Sequence, residues 1–277
     1  AAASGGSSAA GGSIIMGSAN FQENVLLADI YAGALKAKGV SVSTKLNLGA
    51  RPVYIPALQD GSIDLLPEYT GNLLLFFDKT ATQVSSDDVY AALKTKAPST
   101  LTVLNQSAAQ DKDAIVVTKA TADKYNLKTI ADLAAVAGKL TFGAAPEWQT
   151  EAYGAPALKS LYNVVFGTFK ALDAGGPLTE NALKNGQIDA GDIYTTDPLV
   201  ASEGWVALED PKNEFVAQNV VPLINKSKVT PTISDALNAV SAKLDTATLV
   251  KLVSKVTADK QDPTTVASDW LKSVSLG

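Results

Sequence analysis

The apolar run Ile14–Met16 stops at Gly17 and Ser18, a pattern that predicts a buried strand leaving into a tight turn. From Glu23 to Lys38 the apolar residues Val25, Leu26, Ile30, Ala34 and Leu35 recur at helical spacing, and Gly39 supplies the stop. A second strand is predicted over Val40–Leu48. Pro52 then sits where a first helical turn tolerates a missing N–H, Leu58 closes that helix, Asp60-Gly61 caps it, and Ile63–Leu66 reads as a third strand. The order β, α, β, α, β predicts a mainly parallel sheet covered by helices.

Shifted by 125 residues, the chain meets itself. Leu58–Asp64 (LQDGSID) falls on Leu183–Asp189 (LKNGQID), and Tyr69-Thr70 falls on Tyr194-Thr195, six identities in thirteen ungapped positions. Upstream, Val40 meets Val165, Lys45 meets Lys170, and Ile15-Met16-Gly17 lies opposite Thr141-Phe142-Gly143 with one residue of slack. The Gly and the Ile alone suit any helix-to-strand connection, since Gly takes the left-handed cap and Ile fills the core. A Tyr-Thr at the same distance in both copies has no such local cause, and it predicts two lobes built on one plan.

With 277 residues, 46% of them hydrophobic and only 18% charged, the chain suffices for two medium cores. The net charge of -5 is spread along the chain without a run of Lys or Arg, which argues against a nucleic-acid partner. The absence of Cys and His removes thiol nucleophiles, thiolate and imidazole metal sites, and the commonest general base. Neither a metal nor a cofactor is expected. Carboxylate-only catalysis remains open to Glu68, Asp113, Glu147 and Asp197, but no acid pair is singled out by spacing or role. A binding protein is therefore expected rather than an enzyme, with a carboxylate-dependent hydrolase as the alternative from another class.

Residues 1–13 (AAASGGSSAAGGS) offer almost no side chain to bury and predict a disordered tract. Such a tract serves as the tether of a lipid-anchored extracytoplasmic domain, its anchoring cysteine then lying upstream, or as an appended linker. No apolar stretch reaches the roughly 18 residues of a membrane helix.

In open parallel sheets, ligands bind beyond the carboxyl ends of the strands. That rule points to Tyr69 and Thr70 in one copy, and to Tyr194, Thr196 and Asp197 in the other, as residues just past a strand. The two first-strand turns, with Ser18, Asn20 and Phe21 in one and Trp148 and Gln149 in the other, open at the same end. Their small residues expose helix N-terminal amides, while Phe21 and Trp148 are either flat walls for a ligand or staples against the helix start. Arg51 is the only arginine, and it either binds a carboxylate, latches the lobes or lies solvated on the surface. Tyr31, Tyr54, Tyr90, Tyr125, Tyr153, Tyr162, Trp205 and Trp270 read as packing.

The segments Gly17–Glu23 (GSANFQE), Lys45–Gly49 (KLNLG), Leu58–Gly71 (LQDGSIDLLPEYTG) and Tyr194–Asp197 (YTTD) together resemble the glycine betaine, carnitine and choline binding proteins of ABC transporters. The likeness is strongest to the osmoprotectant-binding ProX type of actinobacteria; it spans nearly all of Ile14–Gly277, and Pro67–Gly71 is its most specific part. The resemblance implies a type II periplasmic-binding-protein fold of the α/β class, with two parallel-rich mixed sheets and a two-strand hinge. It places residues 14–112 plus 225–277 in lobe 1 and residues 113–224 in lobe 2.

It further implies a monomer that closes an interlobe cleft on a small polar osmoprotectant and delivers it to membrane permease subunits. In such proteins a tyrosine cage holds the quaternary ammonium by cation-π attraction. Tyr69 and Tyr194 match two cage positions, whereas two others are Asp113 and Gln218 in this chain. Asp113 still suits a cation; Asp113, Gln218, Gln149 and Asn20 equally suit polyols, sugars or phenolic compounds, with the aromatic residues as stacking faces.

Overall fold

The computed structural model describes residues 12–277; the expected tether falls outside them except for its last two residues, and Ser13 already stands in a strand. The chain opens with β1 (Ser13–Gly17), α1 (Gln22–Ala37), β2 (Ser41–Lys45), α2 (Arg51–Asp60), β3 (Leu65–Tyr69), α3 (Thr70–Phe77), α4 (Ser86–Lys96) and β4 (Leu101–Val103). It continues through β5 (Asp113–Val117), α5 (Lys119–Tyr125), β6 (Thr141–Ala144), α6 (Ala155–Tyr162), β7 (Thr168–Ala171), α7 (Pro177–Lys184), β8 (Ala190–Tyr194), α8 (Pro198–Ser202) and β9 (Val206–Ala207). It ends in β10 (Val220–Asn225), α9 (Pro231–Lys243), α10 (Thr246–Thr257) and α11 (Pro263–Ser273). Two compact units result, divided at Gln110/Asp111 and at Ala217/Gln218.

The first unit carries a sheet of order β2-β1-β3-β10-β4. Its core gathers β1 and α1 with α9, α10 and α11, around fully buried Leu26, Leu27, Ile30, Tyr31 and Leu35. α1 is apolar on most of its circumference because helices cover it on several sides. The hydroxyl of Tyr31 is satisfied there by Ser241 at 2.9 Å.

The second unit repeats the plan with a sheet of order β7-β6-β8-β5-β9, and its core centres on Phe142, Leu133, Ile115 and Val117. In both sheets the first three strands pair in parallel, and the strand beyond β3 or β8 pairs antiparallel. Each sheet is therefore evenly mixed rather than parallel-rich. β10 belongs to the first sheet, running antiparallel to β3 from Val220 opposite Tyr69 to Ile224 opposite Leu65. The second crossing of the chain consequently falls after Ala217, seven residues before the boundary expected at 224/225. The apolar run there reads the same in either lobe, and only the register decides its sheet.

The duplicated Asx-Gly-x-Ile-Asp stretch has a common structural cause. Asp64 accepts from the Ile15 N–H at 2.8 Å, and Asp189 accepts from the Thr141 N–H at 2.8 Å. Each aspartate returns its own N–H to the carbonyl of the same residue. The isoleucine of each copy lies against the first-strand glycine: an added Cβ would stand 2.7 Å from Ile63 Cδ1 at Gly17 and 2.8 Å from Ile188 Cδ1 at Gly143. This seam puts Ile63 and Asp64 ahead of the third strand, which begins at Leu65 rather than Ile63. Tyr69 and Tyr194 thereby become the last residues of β3 and β8, not residues beyond them.

Candidate functional site

In the second unit, the antiparallel pairing of β5 with β8 sets Asp113 opposite Tyr194 and Ile115 opposite Asp192. Asp113 and Asp192 are diagonal neighbours across the ladder, and their carboxyl groups hydrogen-bond to each other. Burial pushes the Asp192 carboxyl well above the usual carboxylate range, and the charge of Asp113 adds to it. Asp113 is raised too, by burial first, against the hydrogen bond from Asp192 that favours its charged form, with Asp111 raising it further. Burial and the contact between two carboxyl groups therefore disfavour full ionisation of the pair.

Two tyrosines border this pair. Tyr194 is 39% exposed and Tyr153 is 43% exposed. Burial pushes the Tyr194 hydroxyl up to about 12, helped by Asp113, Asp192, Asp111 and Tyr153. Tyr153 is raised by burial and by Glu151, Asp113, Asp192 and Glu147. Gly175, at φ +70°, lets the Tyr194 ring lie where any Cβ would stand 3.1 Å from its ring atoms. Tyr153, expected to pack, is instead exposed beside acidic neighbours. Asp192 was missed as well, since nothing local distinguishes it from the adjacent repeat acid Asp189.

Glu214 extends the acidic ground. It is 4% exposed, neither carboxylate oxygen has a hydrogen-bond partner among the described residues, and burial, then Asp210 and Asp192, push it up to about 9. Between the unfolded value of about 4.3 and the folded one, the folded chain keeps a proton that the unfolded chain has lost. The stability this group contributes is full below the unfolded value and is lost as pH rises towards 9. Between pH 5 and 7, Glu214→Gln is expected to lose about 2 kcal/mol less stability than the parent chain, read by urea unfolding at both pH values. Parallel losses in the two proteins would show that Glu214 does not carry this titration.

The other residues expected in the second unit have different employments. Trp148 is 3% exposed, its ring centroid 4.2 Å from Phe142 and 6.3 Å from Phe169. The short turn Pro146–Gln149 after β6 carries the indole into the core, so it stacks on the unit's own phenylalanines and leaves Gln149 exposed. Asp197 caps α8 through the Leu199 N–H at 2.8 Å and receives a hydrogen bond from Glu180. Burial and that acidic neighbour push Glu180 up to about 8. Thr196 is buried.

In the first unit, Phe21 stands at the N-cap of α1, 42% exposed, with its ring stacked 5.9 Å from Tyr69. Tyr69 itself is buried and donates to Glu23 at 2.6 Å, so Phe21 rather than Tyr69 presents the aromatic face. Asn20 is exposed beside it. Ser18 is fully buried, donating to the Ala19 carbonyl and accepting from the Asn47 N–H. Thr70 Oγ1 accepts from the Asn219 N–H at 3.0 Å. Gln218 Oε1 accepts from the Asn72 N–H at 2.9 Å, holding the start of α3. All three have internal structural partners.

Arg51 does bind a carboxylate, but the carboxylate is the chain's own. Its Nε and Nη2 each reach Glu68 at 2.8 Å, and Glu68 is 1% exposed. Tyr54 and the Tyr69 N–H complete the coordination of Glu68. Both partners belong to the first unit, and the guanidinium is held there rather than lying solvated on the surface.

Residues 12–273 match the family described as the substrate binding domain of ABC-type glycine betaine transport systems. The glycine betaine-binding protein YehZ of Escherichia coli K12 is 29% identical over 264 residues, covering 90% of this chain and 87% of that protein. The carnitine transport binding protein OpuCC of Listeria monocytogenes 10403S is 26% identical over 240 residues, covering 84% and 77%. In structure, a glycine betaine/carnitine/choline ABC transporter protein superposes with a TM-score of 0.89 at 22% identity, over 95% of this chain and 98% of that one.

Proposed function

The chain belongs to the family of substrate-binding domains of ABC-type glycine betaine transport systems, and from that membership we propose that it binds a quaternary amine osmoprotectant. The observation that carries the ligand class is the acidic pair Asp113–Asp192 bordered by the exposed rings of Tyr194 and Tyr153. Acids supply the charge attraction, and tyrosine faces supply cation-π contacts of about 0.5 to 2 kcal/mol per ring. The charged groups acting on the pair are themselves acidic, which favours a cation and disfavours an anion.

In the first unit, Phe21 and Asn20 at the start of α1 are the exposed residues among those expected to meet a ligand. Of Asp113, Gln218, Gln149 and Asn20, the polar groups that suit a polyol, sugar or phenol, Gln218 has its side-chain carbonyl committed to α3. The tract 1–13 has the composition of a spacer. It suits a single-chain receptor held to the outer face of a membrane by a lipidated cysteine and delivering ligand to permease subunits.

Calorimetric titration with glycine betaine, choline and carnitine, beside a panel of polyols and phenols, tests the reading. Saturable heat from a quaternary amine and none from the neutral panel is expected. The reverse pattern would overturn it.

A further inference from the structure

The proposed site holds two carboxyl groups where one cationic ligand needs a single negative charge, and the register of β5 and β8 sets them diagonally across the ladder. Asp113 is half-buried at the start of β5, and Asp192 is 6% exposed on β8, with one oxygen lacking a hydrogen-bond partner among the described residues. Within electrostatic reach of the pair are Asp111 beside β5, Tyr194 on β8, Tyr153 from the segment before α6 and Glu214 from the segment before β10. Every charged group in that set is an acid.

We propose that Asp113 and Asp192 act as one proton-exchanging pair that selects for positive charge: the hydrogen-bonded carboxyls share one proton when the site is empty and release it to solvent when a quaternary ammonium binds. This rests on the quaternary-amine reading above and deepens it. The balance is simple. One O–H bond of the pair breaks, the proton leaves to solvent, and the ligand's fixed positive charge takes its place against two carboxylates. A neutral isostere of the ligand supplies no such charge and leaves the proton where it is. Asp192 thereby becomes a specificity residue that acts through charge, although its own surface is nearly covered.

Linkage makes the proposal measurable. In the pH range where the empty pair keeps its proton, affinity for a cation rises by about tenfold for each pH unit. The first experiment is calorimetric titration of the intact chain with choline, which carries no group titrating near neutral pH, in two buffers of contrasting ionisation enthalpy at pH 7. A buffer-dependent heat corresponding to release of up to one proton is expected in the parent chain, together with near-zero release in Asp192→Asn and unchanged release in Glu214→Gln.

Choline binding with the same heat in both buffers would overturn the proposal while leaving the ligand class standing. Loss of proton release in Glu214→Gln but not in Asp192→Asn would also overturn it, by moving the proton to Glu214. Failure of choline, glycine betaine and carnitine alike to bind would overturn the ligand class and this proposal together. The parent-chain measurement needs no variant and stands even where Asp192→Asn fails to fold.

Discussion

Arg51→Met is expected to lower stability by about 3 kcal/mol, seen as a fall of about 6 to 12 °C in the calorimetric Tm of the ligand-free chain. Glu68 is almost wholly covered and takes two hydrogen bonds from that guanidinium, one from Tyr54 and one from its neighbouring backbone amide. Removing the cation leaves a buried carboxylate with no compensating charge, and such broken pairs cost far more than surface ones, which are worth about 0 to 1 kcal/mol. The partial exposure of Arg51, at 23% of its side chain, places the expected loss at the lower end of the buried range. Exchanging both partners, Arg51→Met with Glu68→Met, removes the orphaned charge and is expected to recover most of the loss. A single-variant loss below about 0.5 kcal/mol would return Arg51 to the class of solvated arginines.

The second large effect concerns affinity. Tyr153→Ala combined with Tyr194→Ala is expected to weaken binding of a quaternary amine by about 100-fold, the sum of two cation-π faces of roughly 1 to 1.5 kcal/mol each. The two rings are exposed and border the acidic pair, so truncating them removes contact surface without opening a core cavity. Titration of the double variant, with its Tm measured alongside, separates lost contacts from lost folding. Tyr69 makes an informative control. Its hydroxyl is committed to Glu23 and its ring lies under Phe21, so Tyr69→Phe disturbs internal structure rather than a ligand-facing surface. Affinity of the Tyr153/Tyr194 double variant within threefold of the parent would remove both rings from the site.

The acidic face of the second unit arises from pairing rather than from composition. Asp113 and Asp192 lie far apart in the chain and are ordinary acids in a sequence whose charge is mild and evenly spread. Antiparallel register brings them to diagonal positions on adjacent strands, where burial raises both carboxyls and the charge of Asp113 raises Asp192 further. The corresponding ladder in the first unit sets Val220 opposite Tyr69, so the same architecture carries no acid at the position of Asp113. Duplicated topology thus supports two chemically different faces.

The duplication itself was legible from the sequence because its cause is local and periodic. Helical spacing in α1, Pro at the start of α2, the Gly cap after it and the Asx-Gly-x-Ile-Asp seam are set by backbone geometry over a few residues, and such signals survive in a linear string. They predict two units on one plan, and the missing His and Cys narrow the chemistry open to the chain.

What the linear string did not contain was the partner of each polar side chain. That Arg51 is answered by Glu68, that Trp148 turns inward onto Phe142 while Tyr153 stays exposed, that Gln218 holds α3, and that Asp192 meets Asp113 are outcomes of sheet register and of the turns entering each helix. Element identity depends on neighbours along the chain. Charge, burial and access depend on neighbours across it, and only the tertiary structure brings those together.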